Sequence, residues 1–249
     1  MGLSRGRGGV SPARLWRDPG ADGTTSAAAT PTLTSGTLAS GDTATYSETY
    51  STKDAGTGNK TLTPAVTIKD SGNVDVTASY SITLNSISTG TINPKALTAL
   101  GTLVFPVSKV YDGTTTATPS SGAAALQGAE VPAAGTTSDG KPYSVDSVRL
   151  TGTASYNHNS KDVASATTIT ESGLSLTGTG NGNYTLTPPS FGATITVAST
   201  TSAVTSSANP ALPGSNLVFT STLSVTAPGG GIPSGSVLGP GIDQRPPVE

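Results

Sequence analysis

The chain has 249 residues, a formal charge of −2 and no cysteine, and 11% of its residues are charged where about 25% is usual. Disulfides, thiol catalysis and cysteine-bound metals are excluded, and the acidic balance leaves nucleic-acid binding without an electrostatic basis. Thr, Ser, Gly and Ala fill the space left by charge, a composition that suits short β modules with one buried face and one hydroxyl-covered face, and an exterior rather than a cytosolic protein.

Residues 1–35 mix Gly, Arg, Pro, Ser and Ala without a period and hold the lone tryptophan, Trp16, so a disordered leader is expected there. Arg5, Arg7, Arg14 and Arg17 make it basic, but no apolar run follows them as a signal peptide requires, and Gly6 stands where a myristoylation start needs Ser or Thr. No segment approaches the roughly 20 apolar residues of a membrane span, so no membrane insertion by this segment is expected. With no export signal or anchor visible, either the chain is an internal fragment of a longer exported protein or the exterior reading fails.

From Gly36 onward short alternating runs are separated by turn clusters. The longest is Val74 to Leu84, apolar at every even position, and it predicts one half-buried strand. Shorter runs predict strands at Leu62 to Ile68, Val148 to Leu150, around Ile169, and at Leu174 to Leu176, Tyr184 to Leu186 and Ala193 to Val197. Asp70-Ser71-Gly72-Asn73 and Gly180-Asn181-Gly182-Asn183 read as turns, and Ala123 to Leu126 has room for one helical turn before Gly128 and Pro132. An all-β chain is expected.

Two series recur in the same order. Ala44-Thr45-Tyr46, Lys53-Asp54, Tyr80-Ser81-Ile82-Thr83-Leu84 and Gly90-Thr91-Ile92 correspond to Ala154-Ser155-Tyr156, Lys161-Asp162, Tyr184-Thr185-Leu186-Thr187 and Gly192-Ala193-Thr194-Ile195. The offset is 110 residues at Tyr46/Tyr156 and 104 at Tyr80/Tyr184. A tandem unit of about 100 residues has the size of one immunoglobulin-like β-sandwich, so tandem immunoglobulin-like β-sandwich modules are expected.

The second series can be compared with a known family. Lys109-Val110-Tyr111-Asp112-Gly113-Thr114-Thr115, Gly152 to Tyr156, Lys161-Asp162-Val163, Gly173 to Gly178 and Gly182 to Leu186 together resemble the YDG repeats of bacterial filamentous-haemagglutinin-like and autotransporter-type surface proteins. The resemblance covers 99–199, and 36–98 resembles a partial copy without the Lys-Val-Tyr-Asp-Gly opening. Residues 200–238 resemble the first half of a bacterial immunoglobulin-like repeat, on Ala208-Asn209-Pro210, Pro213-Gly214, Leu217 to Thr220 and Gly230 to Val237; 239–249 is read as a disordered tail.

The motif residues Tyr111, Asp112, Gly113, Lys161, Asp162, Asn183 and Tyr184 are expected to be structural. Tyr111 would pack at a strand end with Asp112-Gly113 turning behind it, and Tyr80 and Tyr184 would pack in the core or form tyrosine corners. Adjacent residues on a strand face opposite ways, so neither Lys53-Asp54 nor Lys161-Asp162 is expected to form an isopeptide pair. Asp70, Asn73 and Asp75 offer too few oxygens for calcium. His158, flanked by Asn157 and Asn159, reads as a loop residue with no second ligand or triad partner, and Gly229-Gly230-Gly231 precedes no helix that would bind phosphate. No catalytic residue, metal or cofactor is expected.

The resemblance implies a structural or adhesive segment of a secreted or surface-displayed bacterial protein, outer-membrane associated and without catalysis. Its partners would be neighbouring repeats of the same protein and an unidentified host-surface, extracellular-matrix or glycan ligand. A carbohydrate-binding or accessory module of a secreted enzyme is the alternative, disfavoured by an aromatic content of 4%.

Overall fold

Threonine- and valine-rich alternation becomes strand wherever glycine and asparagine turns leave it long enough to pair. The computed structural model describes residues 8–11 and 21–233, and these are nearly all β. Among the described residues the helical elements are two 3₁₀ turns, Thr77–Ser79 and Asn181–Asn183, and no helix is long and apolar enough to cross a membrane. Among the described residues the strands form six small sheets of two or three strands. The chain divides into two compact units; among described residues the first holds 8–11, 21–103, 121–155 and 171–189, and the second 104–120, 156–170 and 190–233.

In the first unit, β1 (Gly8–Ser11) lies between β2 (Thr32–Ser35), antiparallel, and β5 (Ile82–Leu84), parallel. An antiparallel sheet follows, with β4 (Gly56–Lys69) between β3 (Thr43–Tyr50) and β6 (Ile87–Ile92). Its inner face buries Tyr50 and Ile92 against Ala21, with Ala27 and Leu62 packed around them. A second core gathers Leu97, Tyr143 and Tyr184. It lies where β7 (Lys95–Thr98) pairs in parallel with β11 (Tyr184–Thr187).

In the second unit, β8 (Ser108–Val110) pairs in parallel with β13 (Thr194–Thr196), and β12 (Ser190–Gly192) pairs with residues 168–170. Ala117, Ile169 and Ala193 form its core, with Phe105, Tyr156 and Phe191 packed on it; the Phe105 and Tyr156 rings meet edge-on at 5.1 Å. A hairpin of β14 (Thr200–Ser206) and β15 (Phe219–Val225) completes it, exposed along almost its whole length. The two long strands β9 (Ser147–His158) and β10 (Thr168–Thr179) contribute residues to both units.

Several expectations need correction. Val74 to Leu84 is not one strand: only Ile82–Leu84 is, and Thr77–Ser79 is a 3₁₀ turn. Asp75 Oδ1 accepts the Thr77 amide at 2.8 Å, and the Thr77 hydroxyl accepts the Ile68 amide at 2.8 Å, so side-chain bonds outcompete the ladder that alternation suggested. The leader reading of 1–35 also fails in part. Besides β1 and β2, the Ala27 amide donates to Glu48 O at 3.0 Å and the Tyr50 amide to Thr25 O at 2.7 Å. Small residues dock there through backbone bonds, which composition does not show.

Ala123 to Leu126 forms no helix; Ala123 and Ala125 carbonyls instead accept the Thr102 and Gly101 amides at 3.1 and 3.0 Å. Strands β9 and β10 run unbroken through Gly152, Gly173 and Gly178, well past the short runs expected at Val148 to Leu150, around Ile169 and at Leu174 to Leu176. At each, φ is near +100° or +90° and a Cβ would collide with a carbonyl of the facing strand, so glycine permits close approach rather than ending the strand. Trp16, Arg5, Arg7, Arg14 and Arg17, and the tail at 239–249, lie outside the described residues.

Candidate functional site

Two tyrosines organise the first unit in the same way. Tyr184 follows the 3₁₀ turn Asn181–Asn183; its hydroxyl donates to Asp146 Oδ2 at 2.9 Å and accepts the Tyr143 amide at 2.9 Å. Tyr80 follows the turn Thr77–Ser79, donates to Asp42 Oδ2 at 2.5 Å and accepts the Ala39 amide at 3.0 Å. In both cases the amide lies 41 residues, and the carboxylate 38 residues, before the tyrosine. The duplication therefore extends to a three-part hydrogen-bonded corner. It differs from the immunoglobulin tyrosine corner, whose hydroxyl returns to the backbone only a few residues upstream. Burial, reinforced by Asp146, holds the Tyr184 phenol protonated well above its ordinary range.

The corner at Tyr184 also receives a loop from the first copy. Lys53 Nζ is 2.7 Å from Asp146 Oδ1, whose side chain is 3% exposed. Asn183, itself buried, accepts the Ala55 amide at 2.8 Å and donates to Asp54 Oδ1 at 3.1 Å and Asp146 Oδ2 at 3.4 Å. Burial pulls Lys53 down, but Asp146 and Asp54 carry it above its ordinary value; Asn183 first, then Thr52 and Lys53, hold Asp54 below its own. Lys53 thus bridges the buried Asp146 and the exposed Asp54, and both Asn183 amide hydrogens are directed at carboxylates, a hydrogen-bonded network that favours one arrangement of the loop. Sequence reasoning found Lys53, Asp54, Asn183 and Tyr184 but missed Asp42 and Asp146; their common spacing to the tyrosines was the available signal.

Lys161-Asp162 occupies the equivalent loop of the second copy. The two side chains pair at 2.7 Å and are 53% and 62% exposed. The expectation that strand geometry parts them is corrected, because residues 159–163 are loop, not strand, and neighbouring side chains there can converge. Lys53 and Asp54 likewise approach to 3.4 Å in a loop.

The Tyr111-Asp112-Gly113 segment closes on itself. Asp112 Oδ1 accepts the Thr114 amide and hydroxyl, each at 2.9 Å, and pairs with Lys109 Nζ at 2.9 Å. Lys109 also donates to the Thr114 and Thr116 carbonyls at 3.0 and 2.9 Å. Burial opposes ionisation of Asp112, but Lys109 and Thr114 hold its carboxyl down to about 2. Gly113, at φ +82° in open space, turns the chain. Tyr111 donates its amide to Thr196 O at 2.8 Å and lines a shallow groove with Val163, Val197 and Ile232. Asp112 and Lys109 serve the turn, and the groove beside them is lined mainly by apolar side chains, with Asp162 and Thr200 among them.

His158 is the last residue of β9 and is buried, not a loop residue. Its amide donates to Thr115 O at 2.7 Å, while burial, and then Lys109, lower its imidazole pKa. The Asp70 carboxylate spends itself on the Gly72 and Val74 amides at 2.9 and 3.0 Å, and Asn73 Oδ1 accepts from Lys69 at 3.1 Å, an ordinary closed turn. A further cluster escaped sequence reasoning. Lys95 is fully buried, its Nζ bonded to Glu130 Oε1, 3.0 Å from Asp139 Oδ1 and 4.0 Å from the centre of the Tyr143 ring.

Among the described residues the chain is nearly all β, and the polar groups of the Tyr111-Asp112-Gly113 segment and of the two tyrosine corners bond to neighbouring turns. Residues 93–191 match the YDG domain, and a YDG domain is found there. Its limits take in β7 and Lys95; β7 pairs with β11, and Leu97 lies in the Tyr184 core. No curated protein and no solved structure matches the chain.

Proposed function

We propose that the chain is a non-catalytic structural and adhesive segment of a secreted or surface-displayed bacterial protein of filamentous-haemagglutinin-like or autotransporter type. Its modules act as immunoglobulin-like sandwiches in tandem, with residues 200–238 as part of a further bacterial immunoglobulin-like repeat. Its partners are neighbouring repeats and a host-surface, extracellular-matrix or glycan ligand. The observation that carries the reading is the Lys53-Asp54-Ala55 loop seated on Asp146 and Asn183 of the next copy. A clamp from one repeat to its successor is what a stalk needs to transmit force instead of bending at each joint. The duplicated corner, the YDG domain and the hydroxyl-rich, charge-poor composition support the same reading.

Single-molecule stretching of the intact chain tests it. The first compact unit, which holds Lys53 and Asp146, is expected to yield in one force event, and Lys53→Ala with Asp54→Ala to split that event into two. A first unit that already yields in two events in the unaltered chain, or extension without a force peak, would contradict the stalk reading. Binding of the chain to a glycan array, lost on tyrosine substitution, would favour the accessory-module alternative.

A further inference from the structure

The geometry points to an intramolecular amide between Lys95 and Asp139, formed with Glu130 as proton carrier. This inference does not depend on the proposed function. Lys95 stands on β7 with its ammonium fully buried, and it faces two carboxylates whose side chains are only 12% and 21% exposed. The carboxylates are neighbours: a side chain at Gly135, where φ is +68°, would collide with both Glu130 Oε2 and Asp139 Oδ2. Burial opposes the Lys95 ammonium, but Glu130 and Asp139 overcome it and hold the group above its ordinary range. The reaction therefore draws on the minor form in which Nζ has passed a proton to a carboxylate, leaving an amine, a carboxylic acid and one remaining carboxylate.

Glu130 and Asp139 are not equivalent. Asp139 is gripped by the backbone, its Oδ2 accepting the Thr136 amide at 2.9 Å and its Oδ1 the Lys141 amide at 3.0 Å. These donors hold Asp139 ionised before reaction, and they also point at the oxygens on which charge develops when its carbon is attacked. Glu130 takes the direct hydrogen bond from Nζ. In the first step Nζ gives a proton to Glu130. The neutral nitrogen then attacks Cγ of Asp139 while Glu130 protonates one carboxyl oxygen, giving a tetrahedral intermediate. Nitrogen returns a proton to Glu130, which passes it to the departing hydroxyl, and the C–O bond breaks. One amide forms, one water leaves, Glu130 ends as a carboxylate, and no oxidant or co-reactant is required. The Tyr143 ring, 4.0 Å from Nζ, covers the nitrogen on one side and stabilises it through its π face while it is still an ammonium.

Intact-mass measurement of the full chain, folded and then denatured, tests this. The expected mass is lower than calculated by one water, with a branched peptide joining Lys95 to Asp139 after digestion. Lys95→Arg and Glu130→Gln are each expected to restore the calculated mass. Asp139-Gly140 can also lose water by closing a succinimide, so a deficit that persists in Lys95→Arg, or that maps without a branched peptide, overturns the proposal. A denatured wild-type chain at its full calculated mass overturns it as well, whether or not the variants fold.

Discussion

Replacing Tyr184 by Phe removes one oxygen and leaves the ring, so it isolates the corner from the core. The hydroxyl is the partner of the Tyr143 amide, at a residue 2% exposed, and a donor to Asp146. A buried amide left unpaired costs about 1–3 kcal/mol, and a hydrogen bond to a charged group contributes about 1.5–3 kcal/mol. Lys53 still neutralises Asp146, which offsets part of the second effect. A loss of about 2–4 kcal/mol is expected. Amide hydrogen exchange reads it locally: about 2 kcal/mol corresponds to roughly 30-fold faster exchange at Tyr143. Tyr80→Phe is the internal control. Its amide partner, Ala39, is only partly buried, so a smaller loss of about 1 kcal/mol is expected. An unchanged Tyr143 amide in Tyr184→Phe, or equal effects in the two variants, would refute the claim that burial sets the worth of each corner.

Gly178→Ala should destabilise by about 2 kcal/mol or more, because its Cβ would lie against Ser147 O; Gly113→Ala, in open space, should lose only the roughly 1 kcal/mol of left-handed strain. Urea unfolding compares the two, and equal losses would remove the steric argument. His158 has a folded pKa below its unfolded value, so its contribution is present above about 6.5 and is lost as pH falls through the folded value. Thermal melts should therefore decline on acidification below that point, and His158→Phe should flatten the decline. Asp112, depressed to about 2, stabilises its turn fully above its ordinary value of 3.8 and loses that contribution as pH falls toward 2. Carboxyl NMR should place its midpoint near 2, with the Thr114 amide titrating in step; a midpoint near 3.8 would mean the Lys109 contact is absent in solution.

The duplication was legible because Tyr80 and Tyr184, and the Lys-Asp pairs, keep their order across it. Strand content was legible because threonine alternates with apolar residues in β11, β13 and the second half of β4. What misled was competition from side chains: Asp75 and Thr77 convert a strand pattern into a 3₁₀ turn, and no periodicity count registers their bonds. The full length of β9 and β10 was not legible, since close approach and chain reversal share one residue type, glycine. Lys95 was illegible because a lysine in an alternating run reads as solvent-facing; its burial depends on Glu130 and Asp139, both more than 30 positions away in the chain.

The claim at the centre of this account is that one repeat clamps the next through Lys53 and Asp146. A double-mutant cycle measures it, with Lys53→Ala and with Asp146→Asn, which keeps the acceptor for Tyr184 while removing the charge. Residues in direct contact couple by about 0.5–3 kcal/mol, and because Lys53 is 30% exposed the expected coupling is about 1 kcal/mol. Effects that add to within about 0.3 kcal/mol would show that the two side chains do not act together and would contradict the clamp.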